Sequence, residues 1–241
     1  MKVTLLEKNN GIAVPDVQLP KWFKVGYTTS YFGSVDATHL DDLHRLLGSS
    51  LTLYWMQQTH SSRVFILDSS TNYLMTGVDA DGLVTNQAGV VLLGRFADCW
   101  PLILCGVESK IIGIAHVGWR GLIRGILTSL VSAFNRLGAS IQSLVALLGP
   151  GICASCYSVK EDFLSFVSTV RGRNYTQTFT KYINAVPYFD IAAAIRNDLC
   201  ELGVLKEKIY LVDECTYESD FFYSYRRNGT SARFAAFCHV T

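Results

Sequence analysis

The sequence predicts a mixed α/β sandwich built as one domain over 1–241, and three observations carry that prediction. Short runs rich in Val, Ile and Leu recur along the chain, each bounded by glycine or a charged residue, which is how buried strands read. Helical periodicity is confined to a few unevenly placed segments, so the strands are not spaced by helices as a regular doubly wound sheet requires. Of the 241 residues, 49% are hydrophobic and no stretch has a linker's composition, which suits one large core.

Taken in order, Val25–Thr29 reads as a strand, Gly33-Ser34 as a turn, and Leu40–Leu47 as a helix with Leu40, Leu43, Leu46 and Leu47 on one face. The rest of 1–50 carries little pattern; His39 and His44 within it are expected to be surface or capping residues. Leu51–Gln57 alternates as a strand, Arg63–Leu67 follows as another, and His60 lies in the turn between them. Val78-Asp79-Ala80-Asp81-Gly82 is an acidic turn leading into a strand at Leu83–Thr85. Its aspartates lack the remaining positions of an EF-hand loop, so a structural turn is expected rather than a calcium site. Val90–Leu93, Pro101–Leu104 and Ile111–Ile114 read as buried strands, with Asp98 and Cys99 before the second and His116 closing the third.

Beyond His116, the spacing of Leu122, Ile123, Ile126, Leu127, Leu130, Val131 and Phe134 predicts one amphipathic helix over 122–137. Leu144–Leu148 reads as a strand ending in Gly149-Pro150-Gly151. Amphipathic helices are expected over 161–169 and 188–202, joined by a polar connector at 172–187. Ile209–Val212 and Ala232–Val240 are the closing strands.

A net charge of +1 and a pI near 7.6 leave no electrostatic footprint for nucleic acid or an anionic membrane. Arg95 and Asp98 interrupt the longest apolar run before it reaches membrane-spanning length, and the N-terminal MKVTLLEKNNGIAV has no apolar core of a signal peptide. A soluble, cytoplasmic protein with a small-molecule ligand is therefore expected. The seven cysteines are odd in number and follow no framework spacing, which suggests thiols or metal ligands rather than disulfides. Cys153 and Cys156 form a C-x-x-C, on its own a redox pair or half a zinc site. No second C-x-x-C exists, which excludes a four-cysteine site of that kind and leaves a tight, partly buried loop as the expectation.

His60, Cys99 and His116 each stand at the end of a predicted strand. Two imidazoles and a thiolate suit zinc with a fourth position left open, the arrangement of catalytic rather than structural zinc. Copper takes the same ligand types with an added weak axial ligand, so it stays open at this point. Asp98, beside Cys99, is placed to orient a ligand or move a proton. Arg120 lies between Gly118 and Gly121 where strand hands over to helix, a seat for an anion. Arg226 and Arg227 follow the aromatic run Phe221-Phe222-Tyr223-Ser224-Tyr225 and suit a planar or anionic ligand. The competing reading is a non-catalytic binding protein whose metal ties strand ends together; it requires a fourth protein ligand, for which Cys105 and Cys215 are the candidates.

At these residues the sequence resembles the laccase-domain proteins, a multicopper-oxidase-like family also called the polyphenol oxidase or purine nucleoside phosphorylase family. The resembling pieces are Gln58-Thr59-His60, Ala97-Asp98-Cys99-Trp100-Pro101, Ala115-His116-Val117-Gly118-Trp119-Arg120-Gly121, Leu148-Gly149-Pro150-Gly151-Ile152, Cys215-Thr216-Tyr217 and Ser224-Tyr225-Arg226-Arg227. The resemblance implies a cytoplasmic zinc enzyme of a single mixed α/β fold, its metal held by His60, Cys99 and His116. Members of that family are described as cleaving adenosine, inosine and methylthioadenosine with phosphate and as deaminating adenosine; some bacterial members are described instead as peptidoglycan editing factors. On this basis His60, Cys99, His116, Asp98 and Arg120 are the expected catalytic group, with Gln58, Arg226 and Arg227 contacting substrate. The H-x-E and P-C-x-x-C signature of the familiar zinc deaminases is absent, and the five histidines are too few for a multicopper electron-transfer enzyme. Ser30 stands where the resembling family shows an arginine, no L-N-L segment follows, and Arg45 matches the arginine of the family's N-R helix.

Overall fold

The computed structural model describes residues 1–8, 10–68 and 77–240. Its first half runs β1 (Lys2–Val3), β2 (Leu5–Lys8), β3 (Ile12–Pro15), β4 (Phe23–Thr28), α1 (Ala37–Leu47), β5 (Thr52–Trp55), β6 (Val64–Leu67), β7 (Gly82–Thr85), β8 (Val90–Phe96), β9 (Trp100–Gly106) and β10 (Ile111–Val117). The second half runs α2 (Trp119–Ile123), α3 (Ile126–Arg136), β11 (Leu144–Leu148), α4 (Glu161–Arg171), α5 (Arg173–Phe179), β12 (Thr180–Ile183), β13 (Val186–Phe189), α6 (Ile191–Glu201), β14 (Ile209–Val212), α7 (Tyr225–Asn228) and β15 (Phe234–Val240).

The strands form a seven-stranded mixed sheet, β1-β14-β11-β9-β10-β7-β6, and a six-stranded mixed sheet, β2-β3-β4-β15-β8-β5, with β12 and β13 as a separate hairpin. This is the mixed α/β class that the apolar runs predict.

The two central strands of the larger sheet are buried along their whole length because both faces are covered. Leu102, Leu104, Ile111, Ala115 and Val117 pack with α3 and α6, whereas Ile103, Cys105, Ile112 and Ile114 pack against Leu92, Ala236 and Cys238 of the smaller sheet. On the far side of the smaller sheet, Leu40 and Leu43 of α1 cover Leu53, Val91, Leu93 and Phe237. The layers are thus helix, sheet, sheet, helix. Burying Ile126, Leu127, Leu130, Val131 and Phe134 of α3 contributes on the order of 10 kcal/mol before conformational entropy is subtracted.

Three expectations are corrected. The helix expected over 122–137 is broken at Gly125, whose φ of 87° is left-handed, so α2 and α3 are separate. The connector expected at 172–187 contains α5 and the β12–β13 hairpin. The first 22 residues, read as carrying little pattern, supply β1 and β2 at the edges of the two sheets and β3 next to β2. Among the described residues no helix is long and apolar enough to cross a membrane.

Candidate active site

The chain passes from β8 to β9 through the three residues 97–99, and in doing so it changes sheets. Asp98 takes a φ of 86° in this tight crossover, a conformation that surrounding contacts must hold. Its Oδ1 accepts from Thr216 Oγ1 at 2.8 Å and its Oδ2 accepts from the Arg226 backbone N–H at 2.6 Å, while its carbonyl accepts from Ile152 N–H at 2.9 Å. Asp98 therefore fastens two distant loops to the crossover. Cys99 comes next, at the mouth between the sheets.

His116 follows Ile112 and Ile114 on the face of β10 turned toward the smaller sheet, and its ring lies 5.5 Å from that of Phe96 in β8. His60 sits in the loop between β5 and β6, also left-handed at φ 57°, with its ring 4.7 Å from that of His116. Its Nε2 lies 3.7 Å from Cys99 Sγ. One donor atom from each of His60, Cys99 and His116 falls within 4.8 Å of the others. The sequence-predicted triad is therefore assembled from one loop and the ends of two strands. One step beyond the last ladder pair, Trp100 with Val117, the space beside Cys99 is kept open by Gly118; a Cβ there would stand 2.8 Å from Cys99 Sγ and 2.8 Å from His60 Cδ2.

Asp81 holds this group together from behind. It is fully buried, and its carboxylate accepts from His116 Nδ1 at 2.8 Å, His60 N–H at 3.0 Å, Ser61 N–H at 2.7 Å and Ser61 Oγ at 2.6 Å. The acidic turn expected to be structural thus also supports both histidines, a reach that the 35 residues between Asp81 and His116 hide in the sequence. Burial by itself would raise the Asp81 carboxyl, but hydrogen bonds from His116 and Ser61 outweigh it and hold the group well below the ordinary carboxylate range. For Cys99, burial again pushes upward, and the charge of His116 with hydrogen bonds from both histidines pulls the thiol down to about 6. Burial pushes His116 down, while the Cys99 thiolate and the Asp81 carboxylate raise it to about 9. Without metal, these opposed shifts favour a thiolate facing an imidazolium.

A cavity of about 370 Å³ opens over the triad. Arg95, Arg120, Arg226 and Arg233 line it, and so do Trp119, Tyr157 and Tyr225. The Arg226 guanidinium stands 4.8 Å from the Tyr157 ring centroid and that of Arg120 stands 4.5 Å from the Trp119 ring. Among the described residues Arg95 Nε is buried without a hydrogen-bond partner. Sequence reasoning passed over Arg95, Arg233 and Tyr157; for Arg95 the signal was a charge inside an otherwise apolar strand.

Other expected residues lie elsewhere. The Gln58 carboxamide is spent on the backbone of Arg95, donating to its carbonyl at 2.6 Å and accepting its N–H at 2.9 Å. The Arg227 guanidinium donates to the carbonyls of Thr216, Tyr217, Ser219 and Phe222, and Arg227 does not line the cavity. Ser30 binds the carbonyls of Phe221 and Asp220, also away from the cavity lining. Neither candidate fourth ligand joins the triad: Cys105 is buried in the sheet core, and Cys215 groups with Cys153, Cys156 and Glu218. Among the described residues the triad has no further protein ligand and faces the cavity.

The family model described as multi-copper polyphenol oxidoreductase laccase matches residues 36–241. A purine nucleoside phosphorylase of Streptomyces coelicolor is 34% identical over 184 residues, 76% of this chain and 73% of that protein. The purine nucleoside phosphorylase YfiH of Escherichia coli is 33% identical over 188 residues, 76% and 72% of the two chains. The adenosine deaminase RL5, from an unknown prokaryotic organism, is 29% identical over 212 residues, 80% of each chain. Among solved structures, YlmD of Geobacillus stearothermophilus superposes with a TM-score of 0.84 at 23% identity, covering 99% of both chains. Protein NMB0706 of Neisseria meningitidis does so with a TM-score of 0.81 at 25% identity, covering 95% of this chain and 99% of that one. By the extent of the family match and the identity to these relatives, the chain belongs to the multi-copper polyphenol oxidoreductase laccase family.

Proposed function

We propose that the protein is a zinc-dependent purine nucleoside enzyme, which cleaves adenosine, inosine and methylthioadenosine with phosphate and deaminates adenosine. The observation that carries this reading is the three-ligand group His60, Cys99 and His116 at the foot of a cavity lined by arginines and aromatics. Relatives named purine nucleoside phosphorylase and adenosine deaminase support the substrate class.

The residues fit zinc. The Asp81 carboxylate commits Nδ1 of His116, which leaves Nε2 as the ligand nitrogen, and the second partner of a ligating imidazole is typically a carboxylate in this way. Cys99 is already held toward the thiolate form that a metal requires. Type I copper needs a weak axial ligand, commonly methionine, and among the described residues no methionine lines the cavity. When bound, zinc supplies Lewis-acid polarisation and acidifies water near neutral pH.

The protein's own groups account for the rest. Trp119, Tyr157 and Tyr225 offer ring faces to a purine, and the four arginines offer forked donors to phosphate. In phosphorolysis a phosphate oxygen bonds to ribose C1′ as the bond from C1′ to the purine nitrogen breaks, and the purine leaves with a proton. In deamination a water oxygen adds at C6 and the amino group leaves as ammonia. Burial, with the Cys99 thiolate nearby, raises the Tyr157 hydroxyl far above its ordinary value, so it remains a hydrogen-bond donor. Both carboxylate oxygens of Asp98 are engaged by Thr216 and Arg226, which makes Asp98 a positioning residue. A cytoplasmic setting belongs to this reading.

The test is to incubate zinc-loaded protein with adenosine, with and without phosphate, and separate inosine, adenine and ribose 1-phosphate by chromatography. Products formed by the wild type and lost in His116→Ala are expected. A folded, zinc-loaded protein that turns over no purine nucleoside would overturn the reading in favour of a hydrolase acting on cell-wall precursors.

A further inference from the structure

A second cluster of soft ligands lies outside the cavity. After β11 the chain turns at Gly149-Pro150-Gly151 into a short 3₁₀ turn, Ala154–Cys156, which sets Cys153 and Cys156 side by side. The loop following β14 runs alongside. Gly151 bridges to Cys215, Gly151 N–H donates to the Glu214 carbonyl at 3.3 Å, and Thr216 N–H donates to the Gly151 carbonyl at 3.2 Å. Cys153 N–H points at Cys215 Sγ, 3.3 Å away. A turn closed by Ser219 N–H on the Cys215 carbonyl, at 2.9 Å, then carries Glu218 back over the sulfurs. Its Oε1 lies 3.4 Å from Cys156 Sγ and its Oε2 lies 3.9 Å from Cys153 Sγ. One donor atom from each of these four residues falls within 4.8 Å of the others.

Three thiols and a carboxylate converging this closely are hard to explain as packing. As anions they repel one another, and as neutral thiols they make only weak hydrogen bonds that do not require such a gathering. A divalent soft cation answers both objections, because it deprotonates the thiols and cancels their charge. We propose that Cys153, Cys156, Cys215 and Glu218 form a second, structural zinc site that staples the loop 151–157 to the loop 213–219. Four protein donors fill a tetrahedral shell, which distinguishes this site from the three-ligand group facing the cavity. The C-x-x-C was read as a loop because its partners stand 62 residues further on, outside any recognisable spacing.

The staple bears on the cavity wall. Ile152 and Tyr157, on the first loop, line the cavity, and Thr216, next to Cys215, donates to the Asp98 carboxylate beside Cys99. Fixing the two loops to each other therefore fixes Tyr157 and Asp98 relative to the triad.

The experiment is zinc analysis of the full-length chain, purified under reducing conditions, loaded with zinc chloride and desalted, with cobalt(II) substitution read by absorption. The wild type is expected to retain two equivalents of zinc, and Cys99→Ala, which leaves both loops intact, one. The cobalt form of Cys99→Ala should keep an intense thiolate-to-metal charge-transfer band, and Glu218→Gln, at an exposed position, should weaken zinc retention at this site about 10–100-fold. Wild-type protein holding one equivalent that vanishes entirely in Cys99→Ala would overturn the proposal. So would intact mass and thiol titration showing two of these cysteines joined as a disulfide in the reduced, metal-loaded protein. None of these readouts depends on purine turnover, so this site stands or falls separately from the proposed activity.

Discussion

Asp81 Oδ1 lies 2.8 Å from His116 Nδ1, and the same buried carboxylate accepts the His60 backbone N–H at 3.0 Å. One acid thus sets the ring orientation of one histidine and the loop position of the other. In Asp81→Asn, the amide NH₂ must face an N–H donor that the carboxylate now satisfies, leaving buried donors unpaired. The expected result is a loss of about 1–3 kcal/mol of stability and about 10–100-fold in zinc affinity, read by chelator competition. Unchanged affinity would show that the histidines are held by other contacts.

The pKa shifts fix a pH profile for the metal-free protein. Asp81 is depressed, so the stability it contributes is present above the ordinary carboxylate pKa of about 3.9 and is lost as pH falls below it. Cys99 is lowered to about 6 and His116 raised to about 9, so between roughly pH 6.5 and 8.5 folding moves one proton from the thiol to the imidazole without net uptake. The pair therefore adds no pH slope to stability in that window. Alkylation of Cys99 in the metal-free protein should rise with a midpoint near pH 6. A midpoint near the ordinary thiol value of about 8.5 would show that no thiolate–imidazolium pair exists.

Gly118 separates the effects of site and scaffold. Its φ of −84° and ψ of 165° suit any residue, so Gly118→Ala adds no backbone strain. The new methyl would, however, press on Cys99 Sγ and His60 Cδ2 at 2.8 Å. Zinc retention and turnover should fall at least tenfold while the melting temperature of the metal-free protein moves little. A variant that keeps full zinc and activity would mean the triad relaxes to admit the methyl.

The strands and the triad were legible because their signals are local. Apolar runs with charged ends mark β8 to β11, Cys99 and His116 sit where those runs begin or stop, and His60 lies in the turn between two further runs, β5 and β6. Asp81 was not legible, since nothing in a D-A-D-G turn announces partners on two other segments. The short strands β1 to β3 span two to four residues each, too few for alternation to register. The helix break at Gly125 was hidden because apolar spacing continues on both sides of it. Arginines beside aromatics mark a ligand-facing segment without giving its phase. In the four-residue α7, neighbouring side chains point different ways, and the sequence alone does not say which meets the cavity.

Arg226 and Arg227 put that last point to the test. Arg226 is exposed, lines the cavity, and reaches the Ser158 carbonyl at 2.8 Å, whereas half-buried Arg227 donates to the carbonyls of Thr216, Tyr217, Ser219 and Phe222. Truncating Arg227 strips charged donors from four carbonyls of the loop that presents Thr216 to Asp98. Arg227→Ala should therefore cost about 3 kcal/mol of stability and lower the melting temperature, since hydrogen bonds to charged groups contribute roughly 1.5–3 kcal/mol each and water recovers part of the loss. Arg226→Ala should leave the melting temperature nearly unchanged and raise KM for phosphate or nucleoside roughly tenfold, the loss of one charge-assisted contact. Thermal melts and steady-state kinetics on the two variants check both halves. The reverse pattern, an unstable Arg226→Ala and a stable Arg227→Ala with raised KM, would assign the substrate contact to Arg227 instead.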